Sequence, residues 1–282
     1  MKSKIHEYQT ENKKNMSKHK FLTKIAFGAC LLTAGFYYSQ VKPKVVLDNF
    51  FNNEKRENKE TKALESWHYT WEDTTNGGFS LLGQIFRKQG AEISTLKTAP
   101  SKKDLKTANV YIIVDPDIDK EAYEGKANLI DSKSIKNLVN WVKKGGVLVL
   151  LSNDHGNSEF EHFNLLAGEF GIHFNDDSYN RVQGRQFEQG AVNVPSGNEI
   201  FSAQKLYMKE VSSINVKDPA KAILTAEGKN IGAIAKFGKG TVFALGDPWC
   251  YNEYIDGKKL TADFTNFQGT EEWVKWLLKQ TK

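Results

Sequence analysis

The stretch SKSIKNLVNWVKKGGVLVLLSNDHGN, residues 132–157, decides the fold class. Its first part carries Ile135, Leu138, Val139 and Val142 among lysines and asparagines, a helical spacing that predicts an amphipathic helix over 132–144. Gly145 and Gly146 stand where a helix C-cap is expected. The run VLVLL at 147–151 is apolar without interruption, the pattern of a strand buried on both faces of a parallel sheet. A polar loop, SNDHGN, follows at 152–157. Outward from this unit the arrangement repeats. Strand-like runs lie at 45–50, 92–96, 110–114 and 241–245, and amphipathic stretches at 79–89, 160–170 and 270–280. Gly90 and Gly171 again fall at helix ends. Strands alternating with helices predict an α/β fold, a mostly parallel sheet with helices on both faces. Between 175 and 240 short strands at 222–225 and 231–236 and several turns predict a β-rich insertion or extension of the sheet. The charged run EKRENKETK at 54–62 reads as a loop.

The chain has 282 residues, 39% hydrophobic and 26% charged, which is globular composition with room for a real core. Residues 1–24 hold seven lysines against two glutamates, which accounts for the whole net charge of +5. The balanced remainder argues against a nucleic-acid partner. The apolar run at 25–38 is shorter than the roughly 20 residues of a spanning helix but fits the h-region of a signal peptide. Residues 1–40 are therefore expected to be a signal peptide or N-terminal anchor, with lipidation at Cys30 as a third possibility, and 41–282 a single α/β domain in the periplasm. Membrane attachment is expected only through that leader. Without it Cys250 is the sole cysteine, so neither an intrachain disulfide nor a CxxC-type zinc site is expected.

In open α/β sheets, ligands gather outside the carboxyl ends of the strands. Four dense polar and aromatic segments fall there: 67–78 (WHYTWEDTTNGG), 115–117 (DPD), 152–157, and 247–254 (DPWCYNEY). No GxGxxG, GxxxxGK[ST], HExxH or GxSxG motif is present, so no cofactor and no metal are expected. A metal held by Asp115, Asp117 and His155 has no supporting spacing. His162 and His173 read as structural. Aromatic faces mixed with amides and carboxylates suit a sugar, and an arginine suits a uronic carboxylate. The candidate substrate-binding residues are Trp67, Trp71, Glu72, Asp73, Asn153, Arg181, Arg185, Asp247, Trp249 and Asn252.

WHYTWEDTTNGGFS (67–80), YIIVDPD (111–117), GGVLVLLSNDHGNSEFEHFN (145–164) and GKGTVFALGDPWCYNEY (238–254) together resemble a domain of polysaccharide-degrading Gram-negative bacteria. That domain is found beside, or fused to, family 105 unsaturated glucuronyl hydrolases. The resemblance runs over about 44–280 and implies a flavodoxin-like, class I glutamine-amidotransferase-like fold. Cys250 does not lie where the amidotransferase nucleophile would, so ammonia chemistry is not implied. The activity implied is that of the oligosaccharide dehydratases of ulvan-degradation loci. These remove water from a non-reducing-end glucuronic acid in a rhamnose-containing oligosaccharide, giving the 4,5-unsaturated end that such a hydrolase accepts. Elimination across C4–C5 needs a base, a group to neutralise the carboxylate, and an acid for the departing hydroxyl. His68 or His155 is the candidate base, since histidine titrates near neutrality. Tyr69 or Tyr251 is the candidate acid, and Arg181 with Asn153 or Asn252 the carboxylate holder. Glu72, Asp73 and Asp247 are expected to orient the histidines or bind hydroxyls. Two other functions suit the same residues: a non-catalytic module for acidic oligosaccharides, and a glycoside hydrolase using Glu72 and Asp247.

Overall fold

The computed structural model describes residues 42–202 and 204–281. The expected leader, including Cys30, lies outside them. Five strands form the parallel heart of a seven-stranded sheet: β1 (Lys44–Asp48), β4 (Glu92–Leu96), β5 (Val110–Val114), β6 (Val147–Leu151) and β13 (Gly240–Leu245). The sheet order is β11-β12-β13-β6-β5-β1-β4, where β12 (Lys229–Phe237) and β11 (Ala220–Ala226) add antiparallel to the β13 edge. Each parallel strand sends alternate side chains to opposite faces, as the pleat requires. Val45, Leu47, Val110, Ile112, Val147, Val149, Phe243 and Leu245 share one core with α1 (Ser80–Lys88) and α6 (Asn266–Lys279). Val46, Tyr111, Ile113, Leu148, Leu150, Val242 and Ala244 share the other with α2 (Lys102–Lys106), α3 (Ser132–Lys143) and α4 (Phe160–Gly168). Apolar cover on both faces is what the unbroken VLVLL-type runs predict, and the α/β reading holds.

The helix and strand positions expected from the sequence match these elements within a few residues. α6 is the exception, beginning at Asn266 rather than 270. The reason is tertiary: the Asn266 side chain accepts from the Tyr207 amide at 2.8 Å and donates to the Tyr207 carbonyl at 2.9 Å, which anchors an earlier start. The short α2 was not anticipated from composition; Ser101 and Asp104 form a capping box that defines it. The 175–240 interval is β-rich as expected. Besides β11 and β12 it holds the antiparallel pair β8 (Ala191–Val194) with β9 (Gln204–Tyr207), and β10 (Ile214–Val216), which pairs antiparallel with β7 (Ile172–Phe174) just before the interval. The expected loop at 54–62 is corrected. It contains β2 (Lys55–Glu57), which pairs with β3 (Leu64–Ser66) around a turn made by the Asn58 side chain, and Arg56 bonds Glu65 at 2.9 Å across the hairpin. Among the described residues no helix is long and apolar enough to cross a membrane.

Register positions the site. Val114 of β5, Leu151 of β6 and Leu245 of β13 lie side by side. The segments that leave these three strands therefore emerge at one edge, next to the segment that leaves β1.

Candidate active site

At that edge a cleft of about 500 Å³ opens between the segments after β1, β5, β6 and β13, with Lys209 and Glu210 from the loop after β9 on its wall. Trp67, His68, Tyr69, Asn153 and Tyr251, all singled out from the sequence, line it.

The backbone at His68 and Tyr69 lies in the left-handed region, φ 64° and 51°. Two successive side-chain-bearing residues there are uncommon and costly, the kind of strain that gathers at functional sites. The turn stacks three rings: Trp67 on His68 at 4.5 Å and His68 on Tyr69 at 4.1 Å between centroids, nearly parallel. The Tyr69 amide donates to the Gly77 carbonyl at 3.0 Å, which closes the 67–78 segment on itself. His68 Nδ1 lies 3.0 Å from Glu54 Oε1. A carboxylate accepts, so Nδ1 carries the proton and neutral His68 keeps its lone pair on Nε2.

Gly77 makes room for that ring. A Cβ there would stand 2.6 Å from His68 Cδ2 and 2.8 Å from Nε2. Gly77→Ala is therefore expected to displace the imidazole while deleting no functional group. The expected result is a fall in kcat/KM of roughly tenfold to a hundredfold, as small misplacements of reacting groups produce. Thermal unfolding, measured alongside, should move by no more than a few degrees.

Beside the ring stack is a buried hydrogen-bonded cluster. Tyr69 Oη donates to Asp115 Oδ2 at 3.0 Å, and Asn153 Nδ2 donates to the same oxygen at 3.0 Å. Tyr251 Oη lies 3.3 Å from Tyr69 Oη. Asp115 itself sits at φ 41°, and its Oδ1 is buried without a partner. Burial pushes the Asp115 carboxyl well above the usual carboxylate range, against the pull of its Asn153 and Tyr69 hydrogen bonds. Burial likewise raises the Tyr69 and Tyr251 phenols well above their ordinary value, reinforced for Tyr69 by Asp115 and for Tyr251 by Asp247. The two phenols thus keep their protons at neutral pH. At the far wall, Lys209 bonds Glu210 at 2.8 Å. Partial burial works to lower the ammonium, but the Glu210 carboxylate outweighs it and the lysine titrates above its ordinary value. Lys209 is the only lysine or arginine among the described residues that line the cleft, whereas Glu54, Glu121, Glu210 and Glu253 all line it.

The other sequence candidates sit elsewhere. Trp71 packs in the core against Phe79 and Phe86, its Nε1 donating to the Ser94 carbonyl at 3.1 Å. Trp249 is fully buried between Phe201 and Trp273. Neither indole can meet a sugar face, because the loops turn these rings inward to cover the sheet end. Asn252, the first residue of α5 (Asn252–Ile255), is a buried brace: Nδ2 donates to the Asp73 and Thr75 carbonyls and to Ser80 Oγ, and Oδ1 accepts from the Leu81 amide. Asp73 is buried, its Oδ1 accepting from the Thr75 amide and hydroxyl and lying 3.6 Å from Arg56, while its Oδ2 has no partner. Glu72, Arg181 and Arg185 are exposed and outside the cleft lining. Asp247 is buried with both oxygens unpartnered, and burial pushes its carboxyl well up. His155 is largely exposed, pairs with Asp176 at 2.8 Å, and lines a separate shallow depression with His173. Asp117 accepts from the Asn53 amide at 2.8 Å, which leaves the Asp115–Asp117–His155 grouping without a common centre. Glu159, Glu161 and His162 do approach one another, but both Glu159 oxygens accept from the His162 amide and cap α4.

Glu54 and Lys209 were missed by sequence reasoning. Glu54 opens a run that reads as a solvated charged loop, and Lys209 lies in the β-rich interval, 38 residues before the nearest of the four candidate segments, which begins at Asp247. A charged residue carries no signal of its destination until the chain is folded.

No family model matches the chain, and no curated protein matches it. Among solved structures it is similar to the N-terminal domain of mmIFT52, with a TM-score of 0.61 at 18% identity, covering 83% of this chain and 96% of that one. It is also similar to two cytoplasmic proteins of Salmonella typhimurium. STM1381 gives a TM-score of 0.53 at 12% identity, covering 85% and 100%, and STM3548 gives 0.52 at 16%, covering 83% and 97%. At these identities the likeness is one of fold: an α/β domain with a mostly parallel sheet.

Proposed function

We propose that the protein is a carbohydrate dehydratase that removes water from the non-reducing-end glucuronic acid of an acidic, rhamnose-containing oligosaccharide. The observation that carries the reading is the Glu54–His68 pair at 3.0 Å, opening on the same cleft as the Tyr69–Tyr251–Asp115 cluster. It supplies a base held in one tautomer by a carboxylate beside acids that keep their protons, the combination an elimination needs. His68 Nε2 takes the C5 proton, and the C5–H electron pair forms the C4=C5 bond. The C4–O bond breaks, and Tyr251 Oη gives its proton to the departing hydroxyl, which leaves as water. Lys209 faces the carboxylate and offsets the charge that develops on it. Solvent then returns a proton from His68 to the tyrosine cluster. Trp67, the half-buried outer ring of the stack, lines the cleft and offers its ring to the apolar face of the sugar, beside the Arg56 guanidinium that lies 5.8 Å from its centroid.

The resemblance of the four sequence segments supports the same reading, as does the order of the five parallel strands. Numbered along the chain, that order is second, first, third, fourth, fifth, which is compatible with a flavodoxin-like sheet, where ligands are expected at the switch beside the first and third strands. On this reading the enzyme works in the periplasm, prepares the substrate of an unsaturated glucuronyl hydrolase, and needs no metal or cofactor. The buried Cys250, whose thiol is pushed well up by burial, takes no part.

Mass spectrometry of a glucuronate-terminated rhamnose oligosaccharide, before and after incubation with the protein, tests the proposal. Loss of one water with new ultraviolet absorbance from a conjugated uronate is the expected result. An unchanged mass with calorimetrically detectable binding would overturn it and make the cleft a recognition module.

A further inference from the structure

A second concave surface lies across the sheet from the cleft. It is a groove of about 570 Å³ between α2 and α3, lined by Lys102, Leu105, Lys106, Asn137, Asn140, Trp141 and Lys144. It flanks the amino ends of β5 and β6: Trp141 Nε1 donates to the carbonyl of Ala108, just before β5, and the ring lies on Gly146, just before β6. Strands of five residues separate this edge from the cleft, roughly 17 Å at the rise of a β-strand.

Three features of the groove point to one kind of ligand. Its charge is of a single sign, with three lysines and no carboxylate among the lining residues. Lys102 and Lys106 are one helical turn apart on α2, so both ammonium groups reach the same wall. Its floor is an indole. A Cβ at Gly146 would stand 2.3–2.6 Å from Cδ2, Cε2 and Cε3 of Trp141, so Gly146 covers one face of the ring; Tyr111 meets the ring edge-on at 6.4 Å, and the half-buried indole lines the groove. Its amides are half used. Asn137 Nδ2 donates to the Pro100 carbonyl and Asn140 Nδ2 to the Lys136 carbonyl, which leaves the side-chain oxygens to accept from hydroxyls. An aromatic floor, hydroxyl acceptors and a cationic rim match a pyranose that carries a carboxylate or sulfate. The size fits a short oligosaccharide segment.

We infer that this groove is a second binding site for anionic oligosaccharide, remote from the cleft and without chemistry of its own. The sugar class rests on the proposed function; the anion preference rests on the groove alone. Holding one segment of a long chain there raises the local concentration of ends at the cleft.

The test is isothermal titration of the full chain with a sulfated glucuronate–rhamnose tetrasaccharide. The unaltered protein is expected to bind at two sites, and the variant Lys102→Ala/Lys106→Ala/Lys144→Ala to lose one of them, with affinity there weakened roughly tenfold or more. All three lysines are exposed, so the melting temperature of the variant should stay close to that of the parent. Its turnover of a short substrate should also be unchanged, and His68→Ala should keep the groove site. Raising salt to about 0.5 M should weaken the groove site, because exposed charges are screened. The inference is overturned if the triple variant binds like the parent or if the desulfated, carboxyl-reduced tetrasaccharide binds the groove equally well. A single-stranded oligonucleotide of the same charge that binds the groove more tightly would overturn it too. The outcomes separate from those of the proposed function: lysine-dependent binding without loss of water from any oligosaccharide upholds the groove and rejects the dehydratase.

Discussion

His68→Ala is expected to lower kcat for water loss by about 10³-fold, within the 10²–10⁴ that positioned acid–base groups contribute, with little change in KM. The asymmetry follows from geometry. Trp67, the outer ring of the stack, still lines the cleft when His68 is removed, while the atom that takes the proton is gone. His68→Gln retains a polar partner for Glu54 and controls for the effect of leaving a mostly buried carboxylate unpaired, since the Glu54 side chain is 12% exposed. Glu54→Gln keeps the hydrogen bond but loses the charge that fixes the Nδ1 tautomer and steadies the imidazolium, so it should fall in between, about 10–10²-fold. Steady-state rates followed by uronate absorbance settle the matter. Rates in both His68 variants equal to the parent would remove histidine from the mechanism.

The folded protein should be more stable at pH 5 than at pH 8. Burial raises Asp48 from 3.8 to about 6 and Asp117 from 3.8 to about 7, overriding the hydrogen bonds each receives. For a raised acid the folded state holds a proton that the unfolded chain has released. The stabilisation is therefore complete below about pH 3.8 and is lost as pH rises through about 6 for Asp48 and about 7 for Asp117. Two pK units at Asp48 correspond to about 3 kcal/mol, an upper figure because the charged state can relax. Asp48 is an informative position. Its Oδ1 accepts from the Phe50 and Phe51 amides at 3.0 and 2.8 Å, and its Oδ2 accepts from Tyr111 Oη at 2.5 Å. Asparagine keeps the Oδ1 role and cannot ionise. Asp48→Asn should raise the melting temperature at pH 8 by roughly 5 °C and flatten the decline between pH 5 and 8. Thermal unfolding across that range is the measurement. A parent whose stability climbs steadily to pH 8 would show that these carboxyls ionise freely in the fold.

How much of this was legible beforehand follows from which physical terms are local. Five-residue apolar runs such as VLVLL can be satisfied only by burial on both faces, so the parallel sheet, the helices between its strands and the loops at its carboxyl edge were written in the sequence. The meeting of His68, Tyr69, Asn153 and Tyr251 followed, because parallel strands whose last residues are in register deliver their exit loops to one edge. What the sequence could not decide was the direction of each side chain once a loop turns. Trp71 and Trp249 look like Trp67, yet only Trp67 lines the cleft; a pair of left-handed residues at 68 and 69 sets the stack, and the other two indoles fill the core. Arg181 and Arg185 looked fit to hold a carboxylate, and the fold places Lys209 on the cleft wall instead. Glu54, 14 residues before its histidine, acquires its role only when the β2–β3 hairpin folds back. Apolar burial is a property of a run of residues and can be read from the chain. The pairing of single charges depends on distances of a few ångströms between segments far apart in sequence, and only the tertiary structure decides those.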